Sequence, residues 1–236
     1  MVEVRNLSFS YSRRQILKDV SFTVSPGETV SIVGAIGAGK TTLLRILATL
    51  AVPQSGSVLL DGKDAFARPL RYRRQLGYLP EKFSLYEEMN VKDYLSYRAR
   101  LKGEPPKRVR RRVSEAADLC LVSDFLRSPI RLLSAGEKKR VALADAFLLR
   151  PRLLLLDDFL AGFDISMREA VGGILSEAAA CSSVIVTGHE IGEFCKWTKR
   201  FLVLSDGVIS SSVSAGALEA VELQRRVREA MAGGVR

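Results

Sequence analysis

Over the first thirty or so residues, apolar and polar positions alternate in short runs. The stretches VEVRNLSFSY and ILKDVSFTV read as strands that pair antiparallel, and SPGE supplies a Pro/Gly turn into the β-branched run TVSIVG. The spacing then changes. From Gly34 to Leu50, GAIGAGKTTLLRILATL places its apolar residues at helical intervals, which predicts a helix that stops ahead of Pro53. Between Phe83 and Arg131 the pattern stays helical: Val91 to Leu101 closes at KGEPP, and Val109, Val113, Ala116 and Cys120 share one face of the next helix. A further helix opens within Leu133–Glu137, repeats its apolar positions at Val141, Ala144 and Leu148, and ends before Pro151. It runs straight into LLLLDD, Leu153 to Asp158. Leucines without polar alternation predict a parallel strand buried on both faces, one that ends by delivering carboxylates to the sheet edge. The C-terminal ALEAVELQRRVREAMAGGVR reads as an amphipathic helix with a frayed end.

Chemistry enters at the first strand-to-helix junction. Gly34, Gly39, Lys40 and Thr41 fit GxxxxGK[ST], after a strand and before a helix, which is the context that motif requires. Glycines at this spacing let backbone N–H groups curl around phosphate oxygens, so Gly37, Ala38, Gly39 and Thr42 belong to the cradle, and the helix N-terminus adds its partial positive charge. Lys40 is then a point cation for the β- and γ-phosphates, and the Thr41 hydroxyl is a ligand for Mg²⁺. A nucleoside-triphosphate site follows, and with it a P-loop α/β core.

Composition narrows the setting. At 236 residues and 47% hydrophobic, the chain can bury the core of one large domain or of a core with an inserted subdomain. Cys120, Cys181 and Cys195 are an odd set with no CxxC spacing, which argues against a disulfide framework or zinc site and for a reducing compartment. Glu3 and Arg5 stand where a signal peptide would place its apolar core, and no run approaches the roughly 18 apolar residues of a membrane span, so a cytoplasmic chain is expected. The formal charge of +10 favours anionic partners without choosing among nucleotides, nucleic acid and an anionic leaflet. The runs KRVRRR, Lys107 to Arg112, and RYRRQ, Arg71 to Gln75, read first as solvated helix faces and second as contacts for acidic lipid headgroups.

The phrase LSAGEKKRVALADAFLLRPRLLLLDD, together with the P-loop and at family spacing from it, resembles the ATP-binding-cassette (ABC) ATPases, where it usually begins LSGGQ or LSGGE. The resemblance covers nearly the whole chain. It implies a P-loop core with an N-terminal antiparallel β subdomain over residues 1–81 and 134–236, interrupted by a helical subdomain at 82–133. It also implies a head-to-tail dimer in which Ser134, Ala135 and Gly136 touch the γ-phosphate held by a partner's P-loop. Ser134 also reads as a plain helix N-cap. Ala135 departs from the usual glycine, and a β-carbon there crowds phosphate or forbids a positive φ.

The remaining assignments follow from the same resemblance. Tyr11, in FSYSRR, matches the aromatic that stacks on adenine, though an aromatic in a strand also packs on its sheet. His189, in VIVTGHE, matches the switch histidine that contacts the γ-phosphate. Counting back from Asp164 in AGFD makes Asp157 the acid that holds Mg²⁺ and Asp158 the catalytic base, where most members carry glutamate. The missing methylene withdraws the carboxylate by roughly 1.5 Å. Glu81, in YLPEKF, stands where an Mg²⁺-ligating glutamine is usual, and a carboxylate is equally a hard oxygen ligand.

These implications add up to an ATPase subunit. Mg-ATP closes a dimer, with an identical or sister cassette, and hydrolysis reopens it to drive a separately encoded permease on the cytoplasmic face of the membrane. The LPE, LY and V.DYL run resembles the exporter branch. The residues admit two rival readings. A nucleic-acid-associated ABC ATPase suits the charge but lacks the long coiled coil or second cassette of such proteins. A regulatory subunit with little hydrolysis suits Asp158 and Glu81.

Overall fold

The computed structural model describes residues 1–160, 163, 165–188, 191–215 and 220–233. His189, Gly162 and Asp164 therefore lie outside the described residues. The chain begins with β1 (Val2–Tyr11) and β2 (Arg14–Val24), which pair antiparallel as the alternation predicts. With β4 (Ser55–Leu60) and β5 (Lys63–Asp64) they form a four-stranded antiparallel sheet in the order β2-β1-β4-β5.

The second sheet is built from β3 (Thr29–Val33), β6 (Leu76–Leu79), β7 (Leu153–Leu156), β8 (Ser183–Thr187), β9 (Arg200–Ser205) and β10 (Val208–Ser214). Its order is β10-β9-β3-β8-β7-β6, parallel throughout except at β10. Both faces are covered, which explains the unbroken leucines of β7. Leu153 and Leu155 join one apolar cluster with helix α1 (Lys40–Leu47) and the antiparallel sheet, whereas Leu154 and Leu156 join the cluster on the other face. Successive strand residues point to opposite faces, so a doubly covered strand needs apolar residues at every position. The β3–β8 and β3–β9 pairings place the carboxyl ends of these strands side by side, at the edge where α1 begins.

The helical insert leaves and re-enters the core at one point. Ile130 N–H donates to the Met89 carbonyl at 2.9 Å and Val91 N–H to the Ser128 carbonyl at 3.2 Å, forming a neck below α3 (Val91–Leu101) and α4 (Pro106–Leu119). Asn90 caps α3 by accepting from Asp93 N–H at 2.8 Å. Val109, Val113, Ala116 and Cys120 are buried together, as their spacing predicts. The insert is anchored to helix α5 (Ala135–Phe147) by a nearly buried carboxylate: Asp145 takes a two-pronged bond from Arg98, at 2.9 and 3.1 Å, and an ion pair from Lys102 at 2.9 Å.

The two basic runs part company. Lys107, Arg108, Arg110 and Arg111 are exposed on α4. RYRRQ, on and just past helix α2 (Pro69–Arg73), keeps Arg71, Arg73 and Arg74 exposed as a solvated face would, and also straps that helix to the core. Tyr72 is buried and donates its hydroxyl to the Leu47 carbonyl at 2.6 Å, and Arg73 holds the hydroxyl and carbonyl of Thr49, both at 2.8 Å. The fold closes with α6 (Ile165–Ala179), the short α7 (Ile191–Phe194) and α8 (Ala220–Gly233), the last matching the expected amphipathic tail. No helix among the described residues is long and apolar enough to cross a membrane.

Candidate nucleotide site

The loop after β3 is shaped by two glycines that no other residue could replace without distortion. A β-carbon on Gly34 would stand 2.1 Å from the Leu204 carbonyl oxygen, and Gly39, the residue before α1, has φ +107°. They turn the chain sharply into α1, whose first N–H groups then face the mouth of a cleft. Lys40 is buried and folds back across the loop, donating to the carbonyls of Gly34 at 2.7 Å and Ala35 at 3.0 Å. Burial pushes its ammonium down from the usual lysine range, while the charges of Asp158 and Asp157 oppose that shift. A phosphate oxygen can exchange for those neutral carbonyls as a stronger, charge-assisted acceptor.

Asp157 follows β7 and is 1% exposed. One carboxylate oxygen, Oδ1, accepts from Thr187 at 2.6 Å and from Thr41 at 3.3 Å. The other, Oδ2, is buried with no hydrogen-bond partner. Burial raises this carboxyl above its ordinary value, the two threonine bonds pull it down, and the neighbouring charges of Glu81 and Asp158 add to the rise. An orphaned buried oxygen beside the Thr41 hydroxyl, with Glu81 on the same cleft wall, is a set of hard oxygen donors that fits Mg²⁺. Such an ion takes one or two protein ligands and completes its shell from water and phosphate.

Asp158 stands beside it with its backbone in the left-handed region, φ +43°, and its N–H donating to the Thr187 hydroxyl at 3.0 Å. Thr187 thus fixes both aspartates, one through its hydrogen and the other through its oxygen. Together with Gly37, Gly39, Lys40, Thr41 and Thr42, the residues Glu81, Asp157, Asp158 and Thr187 line a cleft of about 600 Å³, closed on the β-subdomain side by Arg14 and Ile16.

Tyr11 ends β1 opposite Arg14, is 46% exposed, and meets Phe9 edge to face at 4.8 Å. It does not line the cleft, whereas Arg14 and Ile16 do. Ser134, Ala135 and Gly136 also lie away from this cleft, at the start of α5. Ser134 is the exposed N-cap of a reciprocal capping box: its Oγ accepts from Glu137 N–H at 3.3 Å, and Glu137 Oε2 accepts from Ser134 N–H at 2.8 Å. The concern about φ at Ala135 is removed. It is the first residue of α5 and is not among the described residues with positive φ. Gly136 has open space where a β-carbon would be.

Sequence reasoning did not identify Thr187, Arg14 or Ile16. Thr187 had a signal in hindsight, as the last residue of the apolar strand that precedes His189.

With this geometry in view, the comparisons with known proteins agree on one class. The family described as "ABC transporter" matches residues 17–161, and the chain belongs to it. Among curated relatives, a sulfate/thiosulfate import ATP-binding protein of Methylococcus capsulatus is 34% identical over 91% of this chain and 63% of its own length. The chain spans about three-fifths of the length of the first curated relatives it matches. Among solved structures, one described as the ATP binding subunit of an ABC transporter superposes with a TM-score of 0.86 at 27% identity over the full length of both chains. Another, a bacterial Atm1-family ABC exporter with ATP bound, gives 0.82 at 27% identity, covering all of this chain and 42% of that one. The mixed α/β P-loop fold with its antiparallel subdomain and helical insert is the fold of these ABC cassettes.

Proposed function

We propose that this chain binds and hydrolyses Mg-ATP in a head-to-tail dimer and thereby drives a separate membrane permease from the cytoplasmic face. The observation that carries the reading is the convergence of the Lys40 loop, the orphaned Asp157 oxygen and Asp158 on one cleft. In this reading Lys40 and the α1 N-terminus hold the β- and γ-phosphates, while Thr41, Asp157 and Glu81 hold Mg²⁺, directly or through water, which neutralises phosphate charge when bound. Asp158 accepts a proton from the water that attacks the γ-phosphorus, the bond from that phosphorus to the β–γ bridging oxygen breaks, and ADP and phosphate leave. Tyr11 is proposed to stack on adenine, its exposed ring having a free face to offer, and His189 to contact the γ-phosphate.

Because Ser134, Ala135 and Gly136 face away from their own cleft, they are available to a second cassette, identical or sister, whose γ-phosphate they would cap. A groove of about 460 Å³ beside Glu81, between Pro80, Phe83 and Tyr86 on one side and Tyr94 and Arg98 of α3 on the other, is the proposed seat of the permease. Residues 82–133 are accordingly read as the subdomain that transmits the stroke. The expected export direction finds no support in the curated relative cited, which is an import protein by name, so no direction is assigned. No nucleic acid is assigned as a partner.

A second reading, a regulatory cassette with little turnover, draws on Asp158 and Glu81, and Asp158 carries the quantitative part of it. If its carboxylate is set back by roughly 1.5 Å, the rate is lowered by about a hundredfold. Steady-state ATPase assay of the wild type beside Asp158→Glu tests both. The proposal expects turnover in the wild type and a gain in the variant. Loss of turnover on restoring the longer acid would show that the aspartate is already correctly placed, and Mg-ATP binding without turnover in either protein would favour the regulatory reading.

A further inference from the structure

Thr187 has no part in the chemistry proposed above, yet its side chain touches both aspartates on which that chemistry turns. It ends β8, the strand between β3 and β7, with Ile32 of β3 as its register partner and Asp157 just past the last β7–β8 pair, Leu156 and Val186. A buried threonine in a strand is ordinarily a β-branched filler. Here the hydroxyl is fully committed: its one proton goes to Asp157 Oδ1 at 2.6 Å, and its oxygen accepts from Asp158 N–H at 3.0 Å. The second bond falls on a backbone that needs holding. Asp158 has φ +43°, a conformation that residues with a β-carbon seldom adopt and that persists where the surroundings fix it. Gly188 completes the seat. A β-carbon there would stand 2.4 Å from the Phe194 ring and 3.7 Å from Asp158 Oδ1, so the Asp158 carboxylate lies beside a position kept bare.

We propose that Thr187 is a positioning residue: by accepting from the Asp158 N–H it holds the left-handed turn that aims the Asp158 carboxylate, and by donating to Asp157 Oδ1 it ties that aim to the metal acid. This rests on the reading of Asp158 as the base. A side chain as short as aspartate has two torsions with which to place its oxygens, so the backbone largely decides where they stand. Without an acceptor for its N–H, Asp158 is free to relax toward an ordinary negative φ, which swings its carboxylate away from the place it holds in the cleft wall. The other bond of the hydroxyl acts on Asp157. It occupies Oδ1, and Oδ2 is the oxygen left without a partner for the metal. A movement of Asp157 when the metal arrives or leaves therefore reaches Asp158 through one oxygen atom.

The test compares Thr187→Val, which keeps the shape and removes the hydroxyl, with Thr187→Ser, which keeps the hydroxyl and removes the methyl, on the purified full chain. In steady-state ATP turnover at saturating Mg²⁺, Thr187→Val should lower kcat roughly ten- to a hundredfold, the scale of a base misplaced by about 1 Å. KM for ATP should stay within about twofold, because the Lys40 loop is untouched. Thr187→Ser should recover most of the loss, and Thr187→Ala should fall with Thr187→Val should the latter not fold. A side chain that merely fills space predicts the reverse order, with valine harmless and serine the worse. That order, or a valine variant within twofold of wild type, overturns the proposal. If Asp158→Asn leaves turnover intact, the reading of the base fails and this proposal goes with it, whereas loss in Asp158→Asn with none in Thr187→Val sinks only Thr187. A second readout needs no turnover: hydrogen exchange of the Asp158 amide, followed by NMR without nucleotide. Its protection should fall about five- to tenfold in Thr187→Val, relative to the amides of the β7–β8 ladder, and should be kept in Thr187→Ser. Unchanged protection in the valine variant refutes the hold on the Asp158 backbone.

Discussion

Replacing Asp157 by asparagine separates what this carboxylate does for the metal from what it does to the fold. The amide oxygen can still accept from Thr187 and Thr41, so the junction between β7, β8 and α1 is kept. What changes is Oδ2, now a buried ionisable oxygen with no partner, which becomes a neutral amide. An unsatisfied buried polar group costs about 1–3 kcal/mol, more when charged, and the amide still lacks an acceptor, so a net gain of about 1 kcal/mol is expected without ligand. For a chain of this size that raises Tm by about 2–4 °C. The wild type should in turn gain about 2.7 kcal/mol from Mg-ATP at a hundredfold excess over Kd. The variant should show only the smaller gain that ATP gives in the presence of a chelator. Thermal unfolding followed by fluorescence, with Mg-ATP, with ATP plus chelator and without nucleotide, reads all of these shifts. An asparagine variant that is less stable than wild type without ligand, yet keeps the full magnesium-dependent shift, would refute the assignment of Oδ2 to the metal.

The anchor of the helical insert makes a further set of predictions. Arg98→Ala leaves Asp145 buried with only Lys102 beside it and should cost about 3–5 kcal/mol, measured by urea unfolding. Burial pushes the Asp145 carboxyl up, but Lys102 and Arg98 outweigh it and hold the group below its ordinary 3.8. Burial brings the Lys102 ammonium down despite Asp145, while at Arg98 the bond and charge of Asp145 outweigh burial and raise the guanidinium. A carboxyl depressed in the folded state contributes stability that is fully present above its unfolded value and is lost as pH falls through the folded one. The stability gap between wild type and Asp145→Asn should therefore be constant at neutral pH and close only below pH 3.8. A gap that closes between pH 5 and 7 would point to a different group.

The parts of this molecule legible in its sequence are those whose chemistry is local. The P-loop could be read because glycine conformational freedom, a lysine and a hydroxyl recur within a few residues of one turn. β7 could be read because a doubly covered strand has no polar face. Contacts between distant segments stayed hidden. Tyr72 and Arg73 looked like part of a charged, solvated run because Leu47 and Thr49, their partners, are brought beneath them only by folding. Arg98 and Asp145 are likewise joined across two helices, and neither residue's own neighbours suggest an ion pair. Thr187 passed as a strand former, although its single hydroxyl bridges both aspartates. At Ala135 the backbone half of the expectation falls away, because the first residue of a helix needs no positive φ.

The central claim is that the loop around Lys40 is where a nucleoside triphosphate is held, and calorimetric titration of Mg-ATP into wild type and Lys40→Ala tests it most directly. Lys40 is the cation that this loop itself supplies to the cleft, and its present acceptors are backbone carbonyls of the same loop, so its loss removes phosphate charge compensation without removing a core contact. The account predicts saturable binding with a stoichiometry of about one per chain in the wild type. It predicts loss of that binding in Lys40→Ala, with thermal unfolding showing the variant still folded. Unchanged Mg-ATP affinity in a folded Lys40→Ala protein would contradict it.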